Sequence, residues 1–408
     1  MKLSYKKFVI LGILVPCVNL LLLILLLYIY DPLQVFHKPF FRETTFLSDM
    51  RVQNRGIIKN YDFNSVILGT SMLENTLPKD ANEILAYNTY GGGGVNHNFI
   101  PKKLGNIESN LKRDSKNHHK DSNKTQNLDS NNSQKNLWVN LSMSGSSFNE
   151  RAVVLKYLLK EKVINNVIYS LDWFGFSDEN VIDSFDFLYI DDSIKNIRIY
   201  FNPHFITCAL SWNLDFKCVG KKYDIYADSM NFWMNDYKKY FGSIKNYLQN
   251  PENIKELKKP KEKINIIESK KIGKKLVDKY VLNIMKNNPQ TQFYLLIPTT
   301  SRLYYKLKGD VFLKSWQQNI RYVVSECENL QNVRIYGFDD LDYADNIANY
   351  KDSRHYNVNM NLMQLKAIAN QTHILDSKNI ESYLQTMQEK IKNYDISPLI
   401  TEVNLLKQ

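Results

Sequence analysis

From Phe8 to Tyr30 the chain carries no charged side chain. A helix of that length crosses the roughly 30 Å hydrocarbon core of a bilayer. Lys2, Lys6 and Lys7 precede the run, and Tyr28 and Tyr30 close it at the level of an aromatic belt. The excess of Lys before the span predicts a cytoplasmic N-terminus and an external remainder. Asp31 and Pro32 follow and stop the helix. A cleaved signal peptide would carry a shorter apolar region and a small-residue cleavage site. Tyr28-Ile29-Tyr30-Asp31-Pro32 offers neither. Residues 1–30 are therefore expected to form a cytoplasmic tip and an uncleaved, single-pass transmembrane anchor. No later segment matches it in length and apolarity.

The remainder of the 408 residues is long enough for one large domain. Five short apolar runs read as buried strands: Ser65 to Gly69, Leu137 to Leu141, Val167 to Leu171, Gln292 to Ile297 and the weaker Val333 to Tyr336. Apolar residues recur at helical spacing in Ser147 to Lys160, after a Ser that can cap it, in Ile264 to Met285 and in Val311 to Cys327. Strands alternating with amphipathic helices predict an α/β fold with a central parallel sheet. Such sheets place their sites at the carboxyl ends of strands.

Residues 31–61 read as a polar-aromatic connector, 62–375 as the main domain and 376–408 as a C-terminal helical segment. Residues 102–136, rich in Asn, Ser, Lys and Asp, are expected to be a disordered insertion. Residues 175–262 are rich in aromatics, including Trp212 and Trp233, and read as a mostly helical insertion or cap beside the site. Gly91 to Gly94 lacks the Lys-Ser/Thr of a phosphate loop and reads as a flexible lead into the first insertion.

The formal charge is +11. No nucleic-acid motif accompanies it, and the Lys-rich run from Ile254 to Lys275 reads as a solvated helix face. Nucleic acid is not an expected partner. None of the four cysteines has metal-ligand spacing, so no metal and no cofactor is expected. Cys208 and Cys218 are read either as a pair in an oxidising compartment or as free core residues.

Small and polar clusters recur at the strand ends. Gly69-Thr70-Ser71-Met72 follows the first strand, where a tight turn exposes a hydroxyl and its backbone N–H groups face a developing oxyanion. Asn140-Leu141-Ser142-Met143-Ser144-Gly145 follows the second, and Gly145 can offer a backbone N–H. Asp172-Trp173-Phe174 follows the third. Near the other end stands Asp352-Ser353-Arg354-His355, with Asn359 a candidate cap for the next helix. An acylating serine needs a base and a carboxylate that orients the base. Asp three residues before His puts both side chains on one side of a tight turn.

These residues resemble the SGNH/GDSL hydrolase superfamily. Gly69-Thr70-Ser71 looks like its first block, Gly145 its second-block glycine and Asp352-x-x-His355 its last block. The likeness covers roughly 62–375 outside the insertions. It implies an SGNH-type three-layer sandwich, a Ser71–His355–Asp352 triad and an oxyanion hole from the Ser71 and Gly145 backbone. The anchor and the Asp-Trp-Phe strand end make the chain more similar to the envelope acyl-transfer branch, which includes the D-alanyl-transfer protein of the teichoic acid pathway and the alginate O-acetylation proteins. That branch implies a bacterial inner-membrane protein with a periplasmic catalytic domain. It implies a cell-envelope glycan substrate, contacted here by Asp172 and Trp173, and a membrane-bound O-acyltransferase partner.

The chain departs from the family in two places. Thr70 stands where Asp or Ser is usual, and Asp172 where the third-block Asn donates to the oxyanion. An ionised Asp cannot donate. Asp172 is either protonated, or bound to a substrate hydroxyl, or a structural strand-end carboxylate with the oxyanion left to backbone N–H groups. Asp121-Ser122-Asn123-Lys124-Thr125 and Asp129-Ser130-Asn131-Asn132-Ser133 are similar to the acceptor pattern of bacterial N-glycosylation. The expected function is serine acyl transfer or ester hydrolysis on envelope O-acyl groups. Its rival is a non-catalytic envelope protein that keeps the fold and binds a glycan or an acyltransferase.

Overall fold

The structure is a computed structural model and describes residues 5–86, 135–172, 185–233, 236, 239–258 and 273–405. Its first element, α1 (Tyr5–Tyr30), is long and apolar enough to cross a membrane. Its apolar window lies outside the packed interior, and only the end of the helix, at Leu27 and Tyr30, enters the core. Next comes α2 (Met50–Asn60), capped by Asp49. Met50, Ile57 and Ile58 of α2 are buried, so the expected connector is part of the fold.

The chain then lays down β1 (Ser65–Leu68), α3 (Pro78–Ile84), β2 (Trp138–Asn140), α4 (Phe148–Glu161) and β3 (Asn166–Ser170). After the aromatic-rich region, which includes α5 (Pro203–Leu210), come β4 (Gln292–Leu296), α6 (Arg302–Lys308), α7 (Asp310–Cys327) and β5 (Val333–Tyr336). The chain closes with α8 (Val358–Asn370), β6 (Ile374–Leu375), α9 (Ile380–Asn393) and α10 (Ser397–Leu405). The sheet order is β2-β1-β3-β4-β5-β6. The first five strands are parallel, and β6 pairs antiparallel with β5.

Successive strand residues point to opposite faces, and the two faces bury separate cores. Val66, Leu68, Val167, Tyr169, Phe293 and Leu295 pack with α2, α4, α7 and α9. Ile67, Ile168, Tyr294 and Leu296 pack with α3, α8 and α10. Helices thus cover both faces, which is why the strands are apolar at nearly every position. The chain winds from β1 outward to β2, then crosses to β3 on the other side of β1 and continues to β5. This reversal makes the carboxyl ends of β1 and β3 a topological switch point, where open α/β sheets form their crevice.

Several expectations require correction. Asn136 belongs to the fold and not to an insertion ending there: it is buried, and its amide donates to Leu85 O at 2.8 Å. Residues 102–134, with Asn123 and Asn131, lie outside the described residues, as do Gly91 to Gly94. The aromatic-rich region is threaded into both cores, through Phe185, Leu188 and Tyr200 on one side and Tyr247 and Leu248 on the other. The C-terminal segment is helical, as α9 and α10, and buries Leu384, Met387 and Leu399. Asn357, not Asn359, caps α8. Ile264 to Met285 is described from Gly273 onward, as a helix with a π turn at Asp278–Leu282. Of the two readings of Cys208 and Cys218, the structure forms the disulfide.

Candidate active site

Leu68 ends β1 in the core, and Gly69 begins the turn. A Cβ at residue 69 would lie 2.7 Å from Ser170 Oγ and 2.8 Å from the Leu73 side chain, so only glycine lets β3 approach this closely. Leu73 N–H donates to Thr70 O at 3.1 Å and Thr76 N–H to Leu73 O at 3.0 Å, which folds residues 70–76 tightly back. Thr70 N–H donates to Ser170 Oγ at 3.3 Å, and the Thr70 hydroxyl donates to Asp172 while accepting from Met72 N–H. The turn is thereby tied to the end of β3, and Ser71 is left half-buried at its crest.

The opposing loop is a hairpin pinned by the Tyr350–Tyr356 bridge and by Lys351 N–H donating to His355 O at 3.0 Å. Inside it Asp352 Oδ1 accepts from Arg354 N–H at 3.0 Å and His355 N–H at 2.9 Å. Its Oδ2 accepts a hydrogen bond from His355 Nδ1–H at 2.6 Å. Burial works to raise the Asp352 pKa. The nearby His355 charge, the imidazole hydrogen bond and the two backbone N–H groups outweigh it and hold the carboxyl well below its ordinary range. His355 Nε2 lies 2.8 Å from Ser71 Oγ. With Nδ1 committed to Asp352, Nε2 is the acceptor for the hydroxyl proton. Ser301 Oγ and N–H both donate to Ser353 O, at 2.6 and 3.1 Å, and Asn253 Nδ2 donates to Lys351 O at 2.9 Å; these hold the loop against the sheet. The three residues singled out at distant points of the sequence thus form one hydrogen-bonded chain.

Asp172 touches the same cavity, but its carboxylate is largely occupied. Arg151, fully buried on α4, pairs with Oδ1 at 2.9 Å; Ser170 Oγ donates to Oδ1 at 3.1 Å, and the Thr70 hydroxyl takes Oδ2. Of the readings left open for Asp172, this geometry fits the strand-end carboxylate, here acting on the Ser71 turn. Trp173 lies outside the described residues. Gly145 sits on an exposed turn with φ of 62° after β2 and is not among the residues lining the cavity at Ser71.

That cavity, about 40 Å³, is walled by Thr70, Ser71, Met72 and His355 on one side and by Tyr304, Tyr305, Phe312 and Trp316 on the other. Comparison with family models, with curated proteins and with solved structures returned no match. The reading of the site rests on its geometry.

Behind the imidazole stands Trp233, its ring edge-on to His355 with centroids 5.1 Å apart. Lys351 Nζ lies 3.6 Å from the indole centroid, and Trp233 Nε1 donates to Glu74 Oε2 at 3.3 Å. Glu74 Oε1 is buried with no hydrogen-bond partner among the described residues. Burial pushes the Glu74 carboxyl up to about 7, against the Trp233 hydrogen bond and the Lys351 charge. Beyond Trp233 opens a groove of about 560 Å³ lined by Asp49, Arg51, Glu74, Ser144, Asn231 and Trp233, among others. Sequence reasoning did not single out Arg151, Glu74 or this use of Trp233. A charged residue three positions after Ser71, in an otherwise small and apolar turn, was the one local signal for Glu74. Among the described residues His204, Cys208 and Cys218 cluster as metal ligands would, but both sulfurs are bonded to each other.

Proposed function

We propose that the chain is a membrane-anchored serine acyltransferase or esterase acting on O-acyl groups of a cell-envelope glycan, and that Ser71, His355 and Asp352 are its triad. The observation that carries this is the continuous chain from Ser71 Oγ through His355 to Asp352, at 2.8 and 2.6 Å. It lies at the switch point of a mostly parallel sheet and opens on a cavity.

In the first step His355 Nε2 takes the Ser71 proton as Oγ bonds to the carbonyl carbon of an ester or thioester. The backbone N–H of Ser71, in the wall of the cavity, holds the oxyanion; Gly145 stands outside that wall and is not assigned a part. Collapse expels the leaving alcohol or thiol with the proton from His355, leaving an acyl-Ser71. In the second step a sugar hydroxyl, or water, gives its proton to His355 and bonds to the acyl carbon, and Oγ departs with that proton. A buried water occupies roughly 10–15 Å³ by the same measure, so the aromatic cavity suits a short acyl group such as acetyl. The larger groove past Trp233, with its indole, carboxyls, guanidinium and amide, suits a carbohydrate acceptor. In this reading the Lys-rich end of the anchor is cytoplasmic, the site faces outward at the inner-membrane surface, and a membrane-bound O-acyltransferase is the acyl donor.

A fluorophosphonate probe tests the reading. The folded protein is expected to be labelled at Ser71, and Ser71→Ala to lose label and about a millionfold in turnover. Unchanged turnover in that variant overturns the mechanism. Absence of labelling in the folded wild type favours the rival, a non-catalytic glycan- or partner-binding protein.

A further inference from the structure

The exit of α1 from the domain is built as a rigid joint. The last carbonyls of a helix lack intrahelical donors, and here the domain supplies several. His37 Nε2 donates to Tyr28 O at 2.7 Å, and Arg42 donates through Nε to Tyr30 O at 3.3 Å and through Nη2 to Asp31 O at 2.9 Å. On the other flank the Tyr30 hydroxyl donates to Asn213 O, and the Tyr30 and Trp212 rings meet at 5.6 Å. Tyr200, just before α5, bonds Asp31. The Cys208–Cys218 disulfide closes the α5 segment into a compact hairpin beside this joint. No flexible linker intervenes between helix and domain.

The segments that clasp the helix end also carry large apolar side chains turned outward. Phe41 is 73% exposed, Leu210 67% and Phe216 56%, with Phe40, Trp212 and Leu214 alongside. His37 stacks on Phe40 at 4.0 Å, which fixes that ring next to Tyr28. Exposed apolar residues scattered singly are ordinary. These are gathered on the two segments that flank one end of α1, and α1 itself is apolar and uncovered up to its last two turns. One of the two segments begins in α5, which packs directly against α1. Tyr, Trp and Phe at that height match the interfacial layer of a bilayer.

We infer that the 36–42 and 207–216 segments form a collar that seats the domain in the interfacial layer of the membrane crossed by α1, at a fixed height. The occupant of this surface is lipid. Because the joint is rigid, the site at Ser71 is held at a set distance and orientation from the bilayer, as an enzyme meeting a membrane-delivered acyl donor requires. The inference rests on α1 crossing the membrane but not on the chemistry at Ser71.

The test uses the full chain in nanodiscs of phosphatidylethanolamine and phosphatidylglycerol. The photo-crosslinker p-benzoylphenylalanine is placed singly at Phe41, Leu210 and Leu214, at Leu21 inside α1 and at Leu405 on α10, which packs on the other face of the sheet. Mass spectrometry is expected to find lipid adducts at the three collar positions at least ten times more abundant than at Leu405. Adducts at Leu21 with none at the collar overturn the seating and leave the anchor standing. Absence of adducts at both overturns the anchor as well. Protein–protein adducts at the collar, to a second copy or another membrane protein, also overturn it.

Discussion

Exchanging Asp172 for Asn adds a hydrogen-bond donor at the end of β3, where the resembling family carries Asn, yet the structure predicts that it harms this protein. Arg151 is fully buried, and Asp172 is its ion-pair partner at 2.9 Å. Its other contacts among the described residues are the Ser147 carbonyl at 3.3 Å, the Ser170 carbonyl at 2.5 Å, the Ser170 hydroxyl at 3.0 Å and the Phe148 and Tyr169 rings, each 4.8 Å from the guanidinium carbon. None of these is anionic. Breaking a buried pair from one side costs about 3–5 kcal/mol. Asn keeps one acceptor oxygen for the Thr70 and Ser170 hydroxyls, so one of them must turn away, at about 1 kcal/mol. We therefore expect Asp172→Asn to lose roughly 4–6 kcal/mol of unfolding free energy, with slower fluorophosphonate labelling of Ser71 as the turn loosens. Urea unfolding of the full chain in detergent, followed by tryptophan fluorescence, reads the loss. Arg151→Met should cost about as much alone, and the double variant much less than the sum, with a coupling of about 2 kcal/mol or more. A single variant within about 0.5 kcal/mol of wild type, or an additive cycle, would refute the reasoning.

Two further outcomes follow from the site. Asp352→Asn keeps an oxygen for the Arg354 and His355 N–H groups but no longer orients the imidazole as a base; turnover should fall about ten-thousandfold, with stability changed far less than in Asp172→Asn. Glu74 is held near 7, against the ordinary 4.5, so between those values the unfolded chain releases a proton that the folded chain keeps. Folding stability must therefore fall as pH rises through this window, by about 3 kcal/mol from this group. Glu74→Gln should remove that fall, seen as a smaller change in unfolding free energy between pH 4.5 and 7.5; equal slopes in the two proteins refute it.

What could be read in the sequence follows from where each constraint acts. Val66-Ile67-Leu68 and Phe293-Tyr294-Leu295-Leu296 announce themselves because a strand covered on both faces must be apolar throughout. β6 spans only Ile374 and Leu375, too short for any period to show. Asn136 reads as part of the Asn-rich tract because side-chain type says nothing of partners. Its oxygen accepts from Asn166 Nδ2 at 3.0 Å, a contact set 30 residues away. Asp352 and His355 were readable as a pair because their bond spans three residues of one turn, whereas Trp233 reaches Glu74 across 159 positions. The same logic reverses the meaning of Asp172. Read along the chain, it is a lost oxyanion donor. Set beside Arg151, it is the counter-charge of a buried guanidinium and the acceptor that ties down Thr70. A donor at that position would leave the guanidinium without an anion.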